Sequence, residues 1–148
     1  MGNYGWIRNT DYNLSAEINK DSVYTVDTSI NDQLINIYKN GTIIKTFKCS
    51  TGFLGDQDNE TSLGVFFIQV RGNNFYSDKY GEGAKYYIKF FSDYLFHSVP
   101  IDKNGNIIEE EAKKLGEPAS HGCIRLSMDD IKWMYDNIPE GTKVNIHY

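Results

Sequence analysis

Apolar and polar positions alternate along this chain in short runs, separated by clusters of Gly, Asn, Asp and Ser. A period of two is the mark of half-buried strands. "VYTVDTS" (23–29) is the first such run. "QLINIYKNGTIIKTFKCS" (33–50) reads as two strands joined at Asn40-Gly41, a dipeptide suited to the tight turns of hairpins. A glycine-bearing loop over 51–64 leads into a strand "VFFIQV" (65–70). "GNNFYSDKYGEG" (72–83) reads as a second long loop, the kind of segment that tends to carry function. "AKYYIKFF" and "YLFHSV" then pair across Ser92-Asp93.

The period changes to that of a helix after Ser127. Ile131, Met134, Tyr135 and Ile138 form one apolar stripe, so 128–137 is predicted to be an amphipathic helix with Ser127 as N-cap and Asp130 three positions on. "EEEAKKLGEP" (109–118) reads as a shorter helix, acids first and lysines last, with Gly116 at its stop. "PEG" (139–141) turns the chain into a closing strand, "KVNIHY". About seven to nine strands and two short helices make the expected class mainly β.

Composition changes this picture little. The 148 residues suffice for one domain with a substantial core, and 40% hydrophobic with 24% charged residues is ordinary for a globular chain. Eleven Tyr and eight Phe, mostly in the alternating runs, reinforce the sheet. A net charge of −5 with no run of more than two basic residues argues against nucleic acid as a partner, because phosphate binding needs a basic footprint. Two cysteines, Cys49 and Cys123, are too few for a disulfide framework, and Cys49 reads as a small apolar residue on a strand.

Candidate chemistry concentrates in "ASHGCIRLS" (119–127). If 121–126 is extended, His121, Cys123 and Arg125 share one face while Ile124 and Leu126 point to the core. A thiolate is the reactive form of cysteine, and a neighbouring imidazolium or guanidinium would lower the thiol pKa. Gly122 leaves the backbone beside the sulfur uncrowded, so that successive N–H groups can meet a developing oxyanion. The base is either His121 or His97, the latter projecting from the end of the strand "LFHSVP". His147 reads as an ordinary strand residue. A zinc site of His97, His121 and Cys123 lacks a fourth ligand at customary spacing, and Arg125 would repel a cation; no metal or other cofactor is expected.

"SHGCIRL", with "HS" at 97–98, "CSTG", "TSLGVFFI" and "DDIKWMYDNIP" in order, resembles the L,D-transpeptidase (YkuD) catalytic domain of bacterial cell-wall enzymes over roughly residues 22–148. The resemblance implies a mixed β-sandwich or barrel-like sheet, with residues 1–21 a lead-in from a longer exported protein. It implies Cys123 as nucleophile and His97 as base, oriented by Ser98 through its carbonyl. Backbone N–H groups of His121, Gly122 and Cys123 would form the oxyanion hole, and Ser120 and Arg125 would shape the site. A flap over 72–87 would cover the cysteine, with Tyr86 and Tyr87 lining the acyl-donor path. The implied reaction joins peptidoglycan stem peptides: a thioester forms as D-Ala leaves a tetrapeptide, and the side-chain amine of another stem resolves it, giving a 3→3 cross-link. Water as acceptor would give an L,D-carboxypeptidase, and carbapenems are the implied covalent inhibitors. Location outside the cytoplasm is expected, the export segment lying outside this sequence.

Two departures accompany the likeness. Ser62 stands where the family often has Pro. "IDKNGNIIEEEAKKLGEPA" (101–119) is longer than in short members; its acids could contact the amine of a stem peptide or form a solvated helix start, and the helix dipole favours the second reading. A peptidoglycan-binding module without turnover has no need of the thiol, and a sortase-like enzyme would place its Arg further from the Cys.

Overall fold

The computed structural model describes residues 19–148, so the expected lead-in over 1–21 falls, but for its last three residues, outside them. Nine strands form one curled sheet: β1 (Tyr24–Ser29), β2 (Leu34–Lys39), β3 (Thr42–Ser50), β4 (Gly64–Phe67), β5 (Arg71–Ser77), β6 (Glu82–Phe91), β7 (Tyr94–Ser98), β8 (Ile124–Leu126) and β9 (Lys143–His147). Their spatial order is β4-β9-β1-β2-β3-β8-β7-β6-β5. Among the described residues two helices accompany the sheet, α1 (Glu109–Ala112) and α2 (Met128–Asn137).

Local chemistry accounts for the pieces. The β2–β3 turn places Asn40 at φ 51° and Gly41 at φ 83°, the two left-handed residues that a tight hairpin of the sheet's twist requires. At the start of α2 the Ser127 hydroxyl accepts from the Asp130 N–H at 3.2 Å, and Ile131, Met134 and Ile138 are fully buried. The Arg71 guanidinium closes the other end by donating to the carbonyls of Tyr135 and Ile138. Residues 68–70 stitch the sheet toward a half-barrel. Ile68 donates to Thr142 O (2.9 Å), while Gln69 donates to Lys89 O (2.7 Å). The concave side is filled by Val26, Ile35, Ile37, Phe66, Phe90, Phe91 and Phe96, with Cys49 among them as a buried apolar residue.

Two sequence expectations change. Residues 72–83 are not a long loop: they supply most of β5 and the start of β6, and only Asp78–Gly81 turns between them. Gly81 serves the turn at φ 67°, but Gly72 and Gly83 mark close approach. A Cβ on Gly72 would lie 2.4 Å from the Tyr87 ring, and one on Gly83 would lie 2.1 Å from Phe75 O. The helix expected over 109–118 is regular only for four residues, after which turns run to Gly116 at φ 105°.

Candidate active site

The site stands where β8 lies between β3 and β7. β7 and β8 are parallel, with Phe96 opposite Ile124 and His97 opposite Arg125. Phe96 and Ile124 are both fully buried in the core, so His97 and Arg125 take the opposite face. Cys123, one residue before β8, alternates with Ile124 onto that same face. It therefore sits diagonally across from His97, about 8 Å between Cα atoms from the ordinary strand spacing and rise, within reach of a projecting ring. His97, His121, Cys123, Arg125 and Ser120 all line one cavity of about 370 Å³.

Extended backbone does not reach His121 as expected. Gly122 stands at φ 128°, and regular strand begins only at Ile124. Nor is the space beside Gly122 uncrowded: a Cβ there would come within 2.4 Å of the Tyr94 ring. The loop is tied down from two sides. Thr61 donates to Gly122 O (2.8 Å) while accepting from the Gly52 N–H (2.9 Å). Ser120 donates to the Cys123 carbonyl and accepts from the Gly122 N–H at 3.2 Å. That last bond engages one of the three N–H groups expected in the oxyanion hole.

His97 is buried, and its Nδ1 lies 2.6 Å from Ser98 O. A carbonyl only accepts, so Nδ1 carries the proton and Nε2 keeps its lone pair. The Ser98 hydroxyl is itself fixed, accepting from the Lys85 N–H (2.9 Å) and donating to Val99 O (2.8 Å). Phe75 stands edge-on to the imidazole at 5.5 Å. Burial pulls the His97 pKa down to about 4; the Ser98 hydrogen bond opposes this, and the Arg125 charge adds to it.

The cysteine contradicts the expectation of a lowered pKa. Burial pushes the Cys123 thiol up to about 11, against a hydrogen bond to the Leu95 backbone and the Arg125 charge, with the Asp93 charge raising it further. Sγ donates to Asp93 O at 3.7 Å. The resting pair is thus neutral thiol and neutral imidazole, so any attack by the sulfur would require the proton to move with it. A titration of iodoacetamide alkylation should give a Cys123 pKa near 11, well above an ordinary thiol; a value below 8 would mean a resting ion pair. The same values set the pH dependence. Below about pH 4 the imidazole is protonated and cannot accept a proton, so acylation is lost there, and it should be nearly flat from about pH 5 to 9.

Arg125 is only 4% exposed and is held by carboxylates: Nη1 to Glu111 (3.0 Å) and Nη2 to Glu82 (3.4 Å). Among the described residues its Nε–H has no partner. Glu111 also pairs with Lys114 at 2.7 Å, so the acids of the 101–119 segment are not simply a solvated helix start. His121 is exposed, stacked on Tyr80 at 5.0 Å and edge-on to Phe53 at 6.3 Å. The β5–β6 hairpin, with Phe75, Ser77, Lys79, Tyr80 and Glu82, forms one wall of the cavity where a flap was expected.

The sequence of the L,D-transpeptidase catalytic domain family, YkuD, matches residues 23–146. The chain belongs to that family. The YciB protein of Bacillus subtilis, a candidate L,D-transpeptidase, is 44% identical over 124 residues, 82% of this chain and 64% of that protein. The chain therefore spans under two thirds of this relative's length. Among solved structures, an L,D-transpeptidase from Mycobacterium smegmatis superposes with a TM-score of 0.71 at 17% identity, covering 86% of this chain and 59% of that one. The L,D-transpeptidase LdtMt1 in complex with imipenem superposes at 0.68 with 19% identity, covering 84% and 58%. These likenesses establish the curled mainly β L,D-transpeptidase fold.

Within this L,D-transpeptidase domain two expected site residues stand elsewhere. Tyr86 packs on Tyr135 of α2 at 5.2 Å, and Tyr87 packs on Phe75 at 5.7 Å; neither lines the cavity. They leave it by different routes: Tyr86, at φ 55°, packs toward α2, Tyr87 lies over Gly72 beside Phe75, and the β6 residues that line the cavity are Glu82 and Gly83. His147 pairs with Asp27 at 2.8 Å, away from the site. Glu82, Glu111, Thr61 and Tyr94 were not singled out by sequence reasoning. Thr61 lies in "TSLG" and Glu111 in the acid run of the long insertion, while Glu82 and Tyr94 carry no such signal.

Proposed function

We propose that this domain is a cysteine-dependent peptidoglycan L,D-transpeptidase. The observation that carries the reading is the fixed tautomer of His97, whose Nε2 lone pair shares a cavity with the Cys123 sulfur. Nε2 takes the thiol proton as Sγ attacks the carbonyl between the third residue of a tetrapeptide stem and D-Ala. The backbone N–H groups of His121 and Cys123 receive the oxyanion. His97 returns the proton to the departing D-Ala amine, leaving a thioester. A side-chain amine of a second stem then forms the amide and releases the thiol. Water in the same place gives L,D-carboxypeptidase activity.

Ser98 orients the base, Ser120 and Thr61 hold the cysteine loop, and Arg125 joins the hairpin wall to α1 through Glu82 and Glu111. Carbapenem-type β-lactams would acylate Cys123, a reading supported by the imipenem complex of the similar fold. The substrate lies in the cell wall, so the protein works outside the cytoplasm. A binding module that keeps the fold without turnover has no use for an oriented imidazole beside a thiol. Incubation with purified cell wall, followed by identification of muropeptides, should reveal 3→3 dimers and free D-Ala with the wild type and neither with Cys123→Ala. Unchanged muropeptides in both would overturn the reading.

A further inference from the structure

The charges that line the cavity are not equivalent. Arg125 and Glu82 neutralise each other, with Glu111 behind them. Lys79, on the hairpin turn, lies over the Tyr80 ring at 5.2 Å. Asp93 stands apart. Its backbone carbonyl accepts from Sγ, its side chain is exposed at the cavity wall, and among the described residues its carboxylate has no hydrogen-bond or ion-pair partner. The turn does not need that carboxylate either. Ser92, not Asp93, adopts the left-handed conformation, at φ 48°. A negative charge here opposes ionisation of the nucleophile. Such a group beside a reactive thiol calls for a second role.

We propose that the Asp93 carboxylate recruits the ammonium group of the acyl acceptor to the thioester, making Asp93 a specificity residue for amine over water. The inference rests on the transpeptidase reading above. A lysine-type amine is a cation at neutral pH, and a carboxylate at the cavity wall raises its local concentration beside the acyl carbon. Before attack the ammonium gives one proton to solvent. The neutral nitrogen then bonds to the acyl carbon, the C–Sγ bond breaks, and the nitrogen's second proton passes through His97 to Sγ. Lys79 lines the same cavity and, among the described residues, has no carboxylate partner, so the cavity offers a cation and an anion to stems that carry both a carboxylate and an ammonium.

The test uses a tetrapeptide stem ending in D-Ala as donor, with Nα-acetyl-lysine amide or neutral hydroxylamine as acceptor. Asp93→Asn should raise the concentration of the lysine derivative needed for half-maximal transfer by about fivefold, the ordinary effect of one partly exposed charge pair. Asp93→Glu should restore most of it, and the requirement for hydroxylamine should not move. Equal changes for both acceptors, or none, overturn the proposal while leaving the transpeptidase reading intact. A wild-type chain that never takes the acyl group overturns both.

Discussion

Replacing His97 by Ala should slow acylation of Cys123 by about 100-fold or more, the usual contribution of a positioned general base. The size follows from the resting state. With the thiol pushed up to about 11 and the imidazole down to about 4, almost no thiolate exists at neutral pH, so attack depends on a base that removes the proton in the same step. We assign that role to Nε2 of His97, because the Ser98 carbonyl holds the proton of the neutral ring at Nδ1. His121→Ala should be much milder. That ring is occupied by Tyr80 and Phe53, and its loss loosens the hairpin tip without removing the proton acceptor. Single-turnover acylation by imipenem measures both variants. A severe His121→Ala defect beside a mild His97→Ala defect would move the base to residue 121.

The second large effect is expected at Gly122. Its φ of 128° is a conformation that side-chain-bearing residues rarely adopt, and the added methyl of Gly122→Ala would meet the Tyr94 ring at 2.4 Å. Backbone strain and overpacking each cost about 1–3 kcal/mol, so the variant should unfold roughly 5–15 °C below the wild type at this chain length. Activity should fall further than stability, about 100-fold, because the loop that moves also carries the N–H groups proposed to receive the oxyanion. Differential scanning fluorimetry and imipenem acylation separate the two losses. A melting temperature within a degree of wild type would show that the loop yields freely, contrary to its anchoring by Thr61 and Ser120.

The parts of the fold governed by short-range rules were legible in the chain. Asn40-Gly41 set its hairpin, and Ser127 with the Ile131–Met134–Ile138 stripe set α2 to the residue. The motifs "SHGCIRL" and "HS" singled out Cys123 and His97, which the fold brings to one cavity. Long-range packing was not legible. Gly72, Asn73 and Asn74 read as loop because nothing local reveals that they form an edge strand against β6. Tyr86 and Tyr87 read as site residues because their packing partners, Tyr135 and Phe75, are distant in the chain and meet them only in the folded sheet. Glu111 reads locally as a dipole-favoured helix start, while its partner Arg125 lies fourteen residues on and becomes adjacent only in the folded sheet. The thiol pKa was misjudged for the same reason: proximity to cations was visible, the desolvation that outweighs it was not.

The account stands or falls on whether Cys123 is the nucleophile. Incubating the protein with imipenem and measuring its intact mass, followed by peptide mapping, tests this most directly. One imipenem-derived group per chain should appear, on the peptide that contains Cys123, and Cys123→Ala should gain none. A wild-type mass that does not change, or an adduct that persists in Cys123→Ala, would contradict it.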